Sequence, residues 1–137
     1  MDINRGLFGT RHVSARVFVL SAIIAVLMCL FIGNVYAIDV TGSLIITEPG
    51  EYHLQNDIID SPSTRCIQIQ ASNVIFDGNG FTIDGVDSLS SDCFFVLTAS
   101  QRLQNVTIRN VTITDWGTGV YSDRVGSYWI ENNRISS

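Results

Sequence analysis

Residues 105–114 read NVTIRNVTIT, one phrase given twice. Val106, Ile108, Val111 and Ile113 are apolar, with Thr107, Arg109, Thr112 and Thr114 between or beside them. Within each phrase the alternation has period two, the signature of a strand with one buried face. Arg109 and Asn110 break that alternation by one residue. The stretch therefore predicts two short strands meeting at a corner, with Asn110 at the bend and the four apolar side chains pointing inward. Short strands joined at Asn-marked corners imply an all-β chain that coils on itself as a solenoid.

Working outward, the same phrase recurs. Residues 73–85 read NVIFDGNGFTIDG and residues 128–136 read YWIENNRIS. Phe76, Ile108 and Ile130 fall at equivalent positions, 32 and 22 residues apart. Ile108 to Ile113 and Ile130 to Ile135 are both five apart, whereas Phe76 to Ile83 is seven. The longer spacing has a source: residues 86–92 (VDSLSSD) are polar and read as a loop inserted in the first full coil. Residues 66–70, 93–97 and 119–121 are the strand-like runs that open successive rounds. Residues 66–137 thus form the repeats. Residues 38–65 form an opening coil or cap, in which Pro49-Gly50 is a type II turn signal before the alternating Glu51-Tyr52-His53-Leu54. Nothing in this opening segment has a helical period.

Charge divides the chain of 137 residues. Residues 1–37 carry three Arg and one Asp, net +2; the remainder carries five Arg and twelve acidic residues, net −7, with no Lys anywhere. An acidic body with scattered Arg excludes nucleic acid as a natural partner, since phosphate neutralisation needs a basic face. Residues 17–32 (VFVLSAIIAVLMCLFI) are uncharged, follow a basic stretch and precede Gly33-Asn34-Val35-Tyr36-Ala37. This is the pattern of a secretory signal, a hydrophobic helix cleaved after Ala37. The alternative is an uncleaved signal anchor, and contact with a membrane would run only through this segment. Export leaves Cys66 and Cys93 in an oxidising compartment. The two precede matching runs, Ile67-Gln68-Ile69 and Phe94-Phe95-Val96, so they fall in adjacent coils at a spacing a disulfide tolerates. The alternative is two small buried residues in a ladder.

Residues 73–85, 105–114 and 128–136 resemble the right-handed parallel β-helix proteins. These include the pectin-lyase-like repeat regions of secreted carbohydrate-binding and sugar-hydrolase-type domains and the NosD-like periplasmic proteins. Residues 46–54 (ITEPGEYHL) are similar to the opening coil of surface proteins of this type, including those of methanogenic archaea. The resemblance implies a right-handed parallel β-helix of about three to four coils. Because the chain stops at Ser137 inside or just after a coil, a truncated product or a fragment of a longer protein is expected. The shared residues are those that build coils, so the resemblance speaks to fold more than to activity.

For function, the expectation is a secreted or cell-surface scaffold or binding module, interacting with polysaccharide or other surface components and without catalysis. The alternative is the N-terminal part of a polysaccharide lyase or glycoside hydrolase whose catalytic coils lie elsewhere. No catalytic residue is assigned. His53 is the only His after residue 37, expected on the solvent face, and paired carboxylates at a fixed separation are not evident. No cofactor is expected. Asp77, Asn79 and Asp84 offer hard oxygens to calcium, yet their spacing fits neither the EF-hand loop nor the Gly-rich nonapeptide repeat, and Asp-Gly and Asn-Gly are ordinary corner residues. One His and no Met cluster in the body give copper no ligand set. Asn105 and Asn110 each begin an N-glycosylation sequon, although Asn at such corners also stacks into amide ladders. Trp116, Tyr121, Tyr128 and Trp129 are read as core or end packing, with stacking on sugar rings as the alternative.

Overall fold

Ten short strands, joined through corners built on Asn and Asp, account for nearly all the regular structure of the computed structural model, which describes residues 37–136. They are β1 (Ile38–Val40), β2 (Leu44–Ile46), β3 (Gly50–Leu54), β4 (Arg65–Ile69), β5 (Val74–Asp77), β6 (Thr82–Val96), β7 (Val106–Arg109), β8 (Thr112–Ser122), β9 (Tyr128–Glu131) and β10 (Arg134–Ser136). The expected signal helix lies outside the described residues. Among the described residues no helix is long and apolar enough to cross a membrane.

Every pairing between these strands is parallel. Odd-numbered strands form one sheet in the order β1-β3-β5-β7-β9, and even-numbered strands form the other, β2-β4-β6-β8-β10. The chain thus crosses from sheet to sheet at each corner and returns one strand further on. This arrangement is compatible with a β-solenoid, and residues 38–54 already pair in the same ladders as the repeats.

The register is the one the repeat predicts. Tyr52, Phe76, Ile108 and Ile130 align in one sheet, and Ile83, Ile113 and Ile135 in the other. Inward positions stack like on like and form one core that includes Leu54, Ile67, Phe76, Ile83, Phe94, Leu103, Ile108 and Ile113. Phe76 meets Phe94 edge to face, with ring centroids 4.9 Å apart, the geometry that the ring quadrupoles favour. In the opening stretch, Val106, Ile108, Val111 and Ile113 are all buried, as the alternation requires.

The corners use left-handed backbone. Among the described residues, eight of the nine non-glycine residues with positive φ are Asn or Asp, including Asn110 (φ 54°) and Asn132 (φ 53°) at the β7–β8 and β9–β10 bends. Short polar side chains tolerate this region best. The corner between β5 and β6 closes through the Phe81 N–H, which donates to the Gly78 carbonyl at 2.8 Å, with positive φ at both Asn79 and Gly80, as in a type I′ turn. Gly78 is required for a different reason: a Cβ there would lie 2.4 Å from the Val111 Cβ.

Two local expectations need correction. Gly50 does not occupy a type II turn; it opens β3 with φ 158°, far from the roughly +80° of that turn. Residues 86–92 are not a detached loop. They stay within β6, whose ladder with β8 shifts register between Asp84, Ser88 and Asp92. From Asp84 to Asp92 is eight residues, opposite only four from Thr114 to Thr118. The excess bulges outward and leaves Leu89 almost wholly exposed.

The last round differs from the others. Ile130 is 42 % exposed, whereas its counterpart Ile108 is 2 % exposed. Ile108→Ala should therefore lower stability by about 2–5 kcal/mol, through lost burial and a residual cavity. Ile130→Ala should cost well under half as much, and urea unfolding of the two variants checks the ordering.

Candidate functional site

The outer face of the odd-numbered sheet gathers the charged groups. Alternation turns Glu51 and His53 outward from β3, while Tyr52 and Leu54 enter the core. Register then sets Asp39, His53, Asp77, Arg109 and Glu131 in one row across the sheet. A second row runs Glu51, Ile75, Thr107 and Trp129.

Arg109 ties these rows together. Its Nε donates to Asp77 Oδ2 at 2.8 Å, on the neighbouring strand. Its Nη2 donates to Glu51 Oε1 at 3.1 Å, two strands away. Asp77 also accepts from the Asn79 N–H at 2.9 Å and from Asn110 Nδ2 at 3.1 and 3.3 Å. Burial on its own pushes the Asp77 carboxyl up; the Asn79 N–H, Arg109 and Asn110 outweigh it and hold the group below the usual carboxylate range. His53 Nε2 lies 3.1 Å from Glu51 Oε1, shielded from solvent and without a well-aligned hydrogen bond. Glu51, His53 and Asp77 each bring one donor atom within 4.8 Å of the others.

This convergence was not anticipated; His53 lies on the outer face, as expected, but is partly covered there. Its ring is 28 % exposed, pressed against Glu51 in the cluster. Part of the signal lay in the sequence. Asp77 and Arg109 are 32 residues apart, the same spacing as Phe76 and Ile108, so that match already places them side by side.

The remaining candidates disperse. Asp77, Asn79 and Asp84 do not converge: Asn79 Nδ2 donates to the Leu54 carbonyl at 3.0 Å, and Asp84 accepts from the Thr114 hydroxyl and the Asp60 N–H. Asp84 belongs to an acidic corner with Asp60, Asp87 and Asp115. There, repulsion from Asp87, then partial desolvation, then Asp84 and Asp60, raise the Asp115 carboxyl above its ordinary value. Cys66 and Cys93 are opposite each other in the β4–β6 ladder, as expected, and both are buried free thiols rather than a bridge. Burial raises the Cys66 thiol against the lowering effect of Ser43 and Ser61, and raises Cys93 well above the normal range, with Cys66 adding to it. Both are therefore poor nucleophiles.

Of the four aromatics, Trp116 is buried, with Nε1 donating to the Ile83 carbonyl at 3.1 Å. Tyr121, Tyr128 and Trp129 are exposed, which departs from the expected packing: Tyr121 and Trp129 point outward in the columns of Gln68 and Thr107, whereas Tyr128 continues the inward column of Val106 with no described strand beyond β9. Tyr121 stacks on Phe95 at 5.1 Å, and the Arg65 guanidinium covers that ring at 3.6 Å.

No protein-family description, curated protein or solved structure matches the chain.

Two outcomes follow from the geometry. Asp77→Ala removes the partner of the Arg109 Nε and leaves the Asn110 amide and the Asn79 N–H unpaired, and should cost about 2–3 kcal/mol in chemical denaturation. The two sequons should also behave differently in a glycosylating host. Asn105 is exposed, its side-chain Nδ2 donating to the Asn73 side chain at 2.9 Å and its Oδ1 accepting from the Ser127 hydroxyl at 3.3 Å, whereas the half-buried Asn110 amide is held by the Asp77 carboxylate. Intact mass should show at most one glycan, lost in Asn105→Gln and retained in Asn110→Gln.

Proposed function

We propose that the two ladders are faces of a right-handed parallel β-helix of the pectin-lyase-like kind. On this reading the chain serves as a scaffold and binding module of a secreted or cell-surface protein, with carbohydrate as its ligand and no catalysis of its own. The alternation of successive strands between two parallel sheets supports the helix, since the chain then advances one strand spacing per round.

The observation that carries the binding-module reading is the condition of Asp77. It is 7 % exposed, its charge is matched by Arg109, and both oxygens accept hydrogen bonds from the fold itself. A carboxylate so engaged ties strands together, whereas a general acid or nucleophile must present an oxygen to substrate. Two columns along, Trp129 is 47 % exposed, in the same row as Thr107, and offers a ring face on which a sugar can stack. Asp39, Glu51, Asp77 and Glu131 face the single guanidinium of Arg109 on this sheet, so its net charge favours a neutral glycan over a polyanionic one.

The second reading is the N-terminal part of a polysaccharide lyase or glycoside hydrolase. It is favoured by the meeting of two carboxylates, a His and an Arg on one sheet face.

Incubation of the purified chain with neutral and acidic polysaccharides separates the two. The module should retain neutral glycans without releasing product, and Trp129→Ala should weaken retention by about tenfold, the value of one stacked ring. Release of reducing ends or unsaturated uronides, abolished by Asp77→Ala, would overturn the non-catalytic reading.

A further inference from the structure

We propose that Glu51, His53 and Asp77 form a binding site for a divalent transition-metal ion of the zinc type, for which Arg109 is the competing occupant. Three observations support it. The donor atoms come from adjacent strands β3 and β5 in fixed register, with His53 directly opposite Asp77, so the backbone presents them on a rigid surface. They already lie within 4.8 Å of one another, and His53 Nε2 to Glu51 Oε1 is 3.1 Å. A tetrahedral ion with bonds of about 2.0–2.2 Å spaces its ligands roughly 3.4 Å apart, so Asp77 needs a side-chain movement on the order of 1 Å. Finally, His53 Nε2 is shielded from solvent and lacks a hydrogen-bond partner, although it faces a carboxylate oxygen. A ring nitrogen placed this way has no well-formed hydrogen bond to break before it ligates an ion.

The donor set also selects the class of ion. One imidazole nitrogen with two carboxylates suits a borderline ion that keeps water in an open position. Calcium and magnesium prefer oxygen alone.

Arg109 now spans the two carboxylates, through Nε on Asp77 and Nη2 on Glu51. The ion takes over both of those contacts. Asp77 keeps the Asn79 N–H and the Asn110 amide on Oδ1, and these continue to orient it as the ion binds. The guanidinium and the ion are therefore alternatives. This sets the site apart from a purely structural ion-pair cluster, for which removing Arg109 creates no new affinity.

The test uses the full chain, stripped of metal and titrated with Zn²⁺ in competition with a chromogenic chelator, with circular dichroism confirming that each variant is folded. One ion should bind per chain. His53→Ala and Glu51→Gln should each weaken binding at least tenfold, and Arg109→Gln should tighten it several-fold. His12→Ala, which removes the chain's other His, and Asp84→Asn in the acidic corner should change nothing. Absence of saturable 1:1 binding in both wild type and folded Arg109→Gln overturns the proposal. So does binding that survives His53→Ala or disappears in His12→Ala.

Discussion

Parallel, in-register pairing is the constraint from which the rest of this structure follows. It sets each side chain beside its counterpart one round away, at the spacing of hydrogen-bonded strands. Inward positions must then accept a like neighbour on each side. The column Tyr52, Phe76, Ile108, Ile130 meets that demand with large apolar groups, and Phe76 and Phe94 fill the space between the sheets. Outward positions face the same rule with the opposite difficulty, because stacked like charges repel. The outer row solves it by alternating chemistry: an imidazole, a carboxylate, a guanidinium and a carboxylate at His53, Asp77, Arg109 and Glu131. Where the alternation fails, as at Asp60, Asp84, Asp87 and Asp115, the strain appears as a carboxyl pushed upward.

The corners impose a second condition. The two-residue bends β7–β8 and β9–β10 take a left-handed conformation at Asn110 and Asn132, and Asn or Asp holds that conformation at eight of the nine non-glycine positions that adopt it among the described residues. These side chains then find partners in the preceding round. Asn79 donates to the Leu54 carbonyl, Asn105 to Asn73 and Asn110 to Asp77. A residue selected for backbone conformation thus also satisfies polar groups that the turn would otherwise leave unpaired. Sequon and corner coincide in residues 105–114 for this reason: Asn begins the phrase because the bend needs it, and Thr follows because it sits well on an outward strand position.

Much of the architecture was legible because stacking repeats itself in sequence. The equivalence of Phe76, Ile108 and Ile130 and that of Ile83, Ile113 and Ile135 are the observed registers. What escaped notice has physical causes. The excess in β6 read as a loop because its residues are polar, yet bulges let a strand absorb four extra residues without leaving the ladder. Tyr121 and Trp129 are exposed because the register turns them outward, while the exposure of Tyr128 depends on what covers β9, which its local pattern does not encode. The charged cluster was half legible: Asp77 and Arg109 follow from the repeat spacing, but Glu51 and His53 join them only once residues 50–54 are placed in the same ladder.

That last step shows why the cluster sits where it does. Arg109 reaches Glu51 across β5 because outward side chains on successive rounds are one strand spacing apart, and a guanidinium on a long stem spans two such spacings. A Lys would pair with one carboxylate as a point charge; the planar fork of Arg engages Asp77 with one edge and Glu51 with another nitrogen. The result is a lateral tie over three strands whose backbone bonds already run in the same direction. Because the tie is made of side chains rather than backbone, it can exchange partners without disturbing the ladders beneath it. The core fixes Asp77, His53 and Glu51 in place, and the identity of the cation between them is the one variable the fold leaves open.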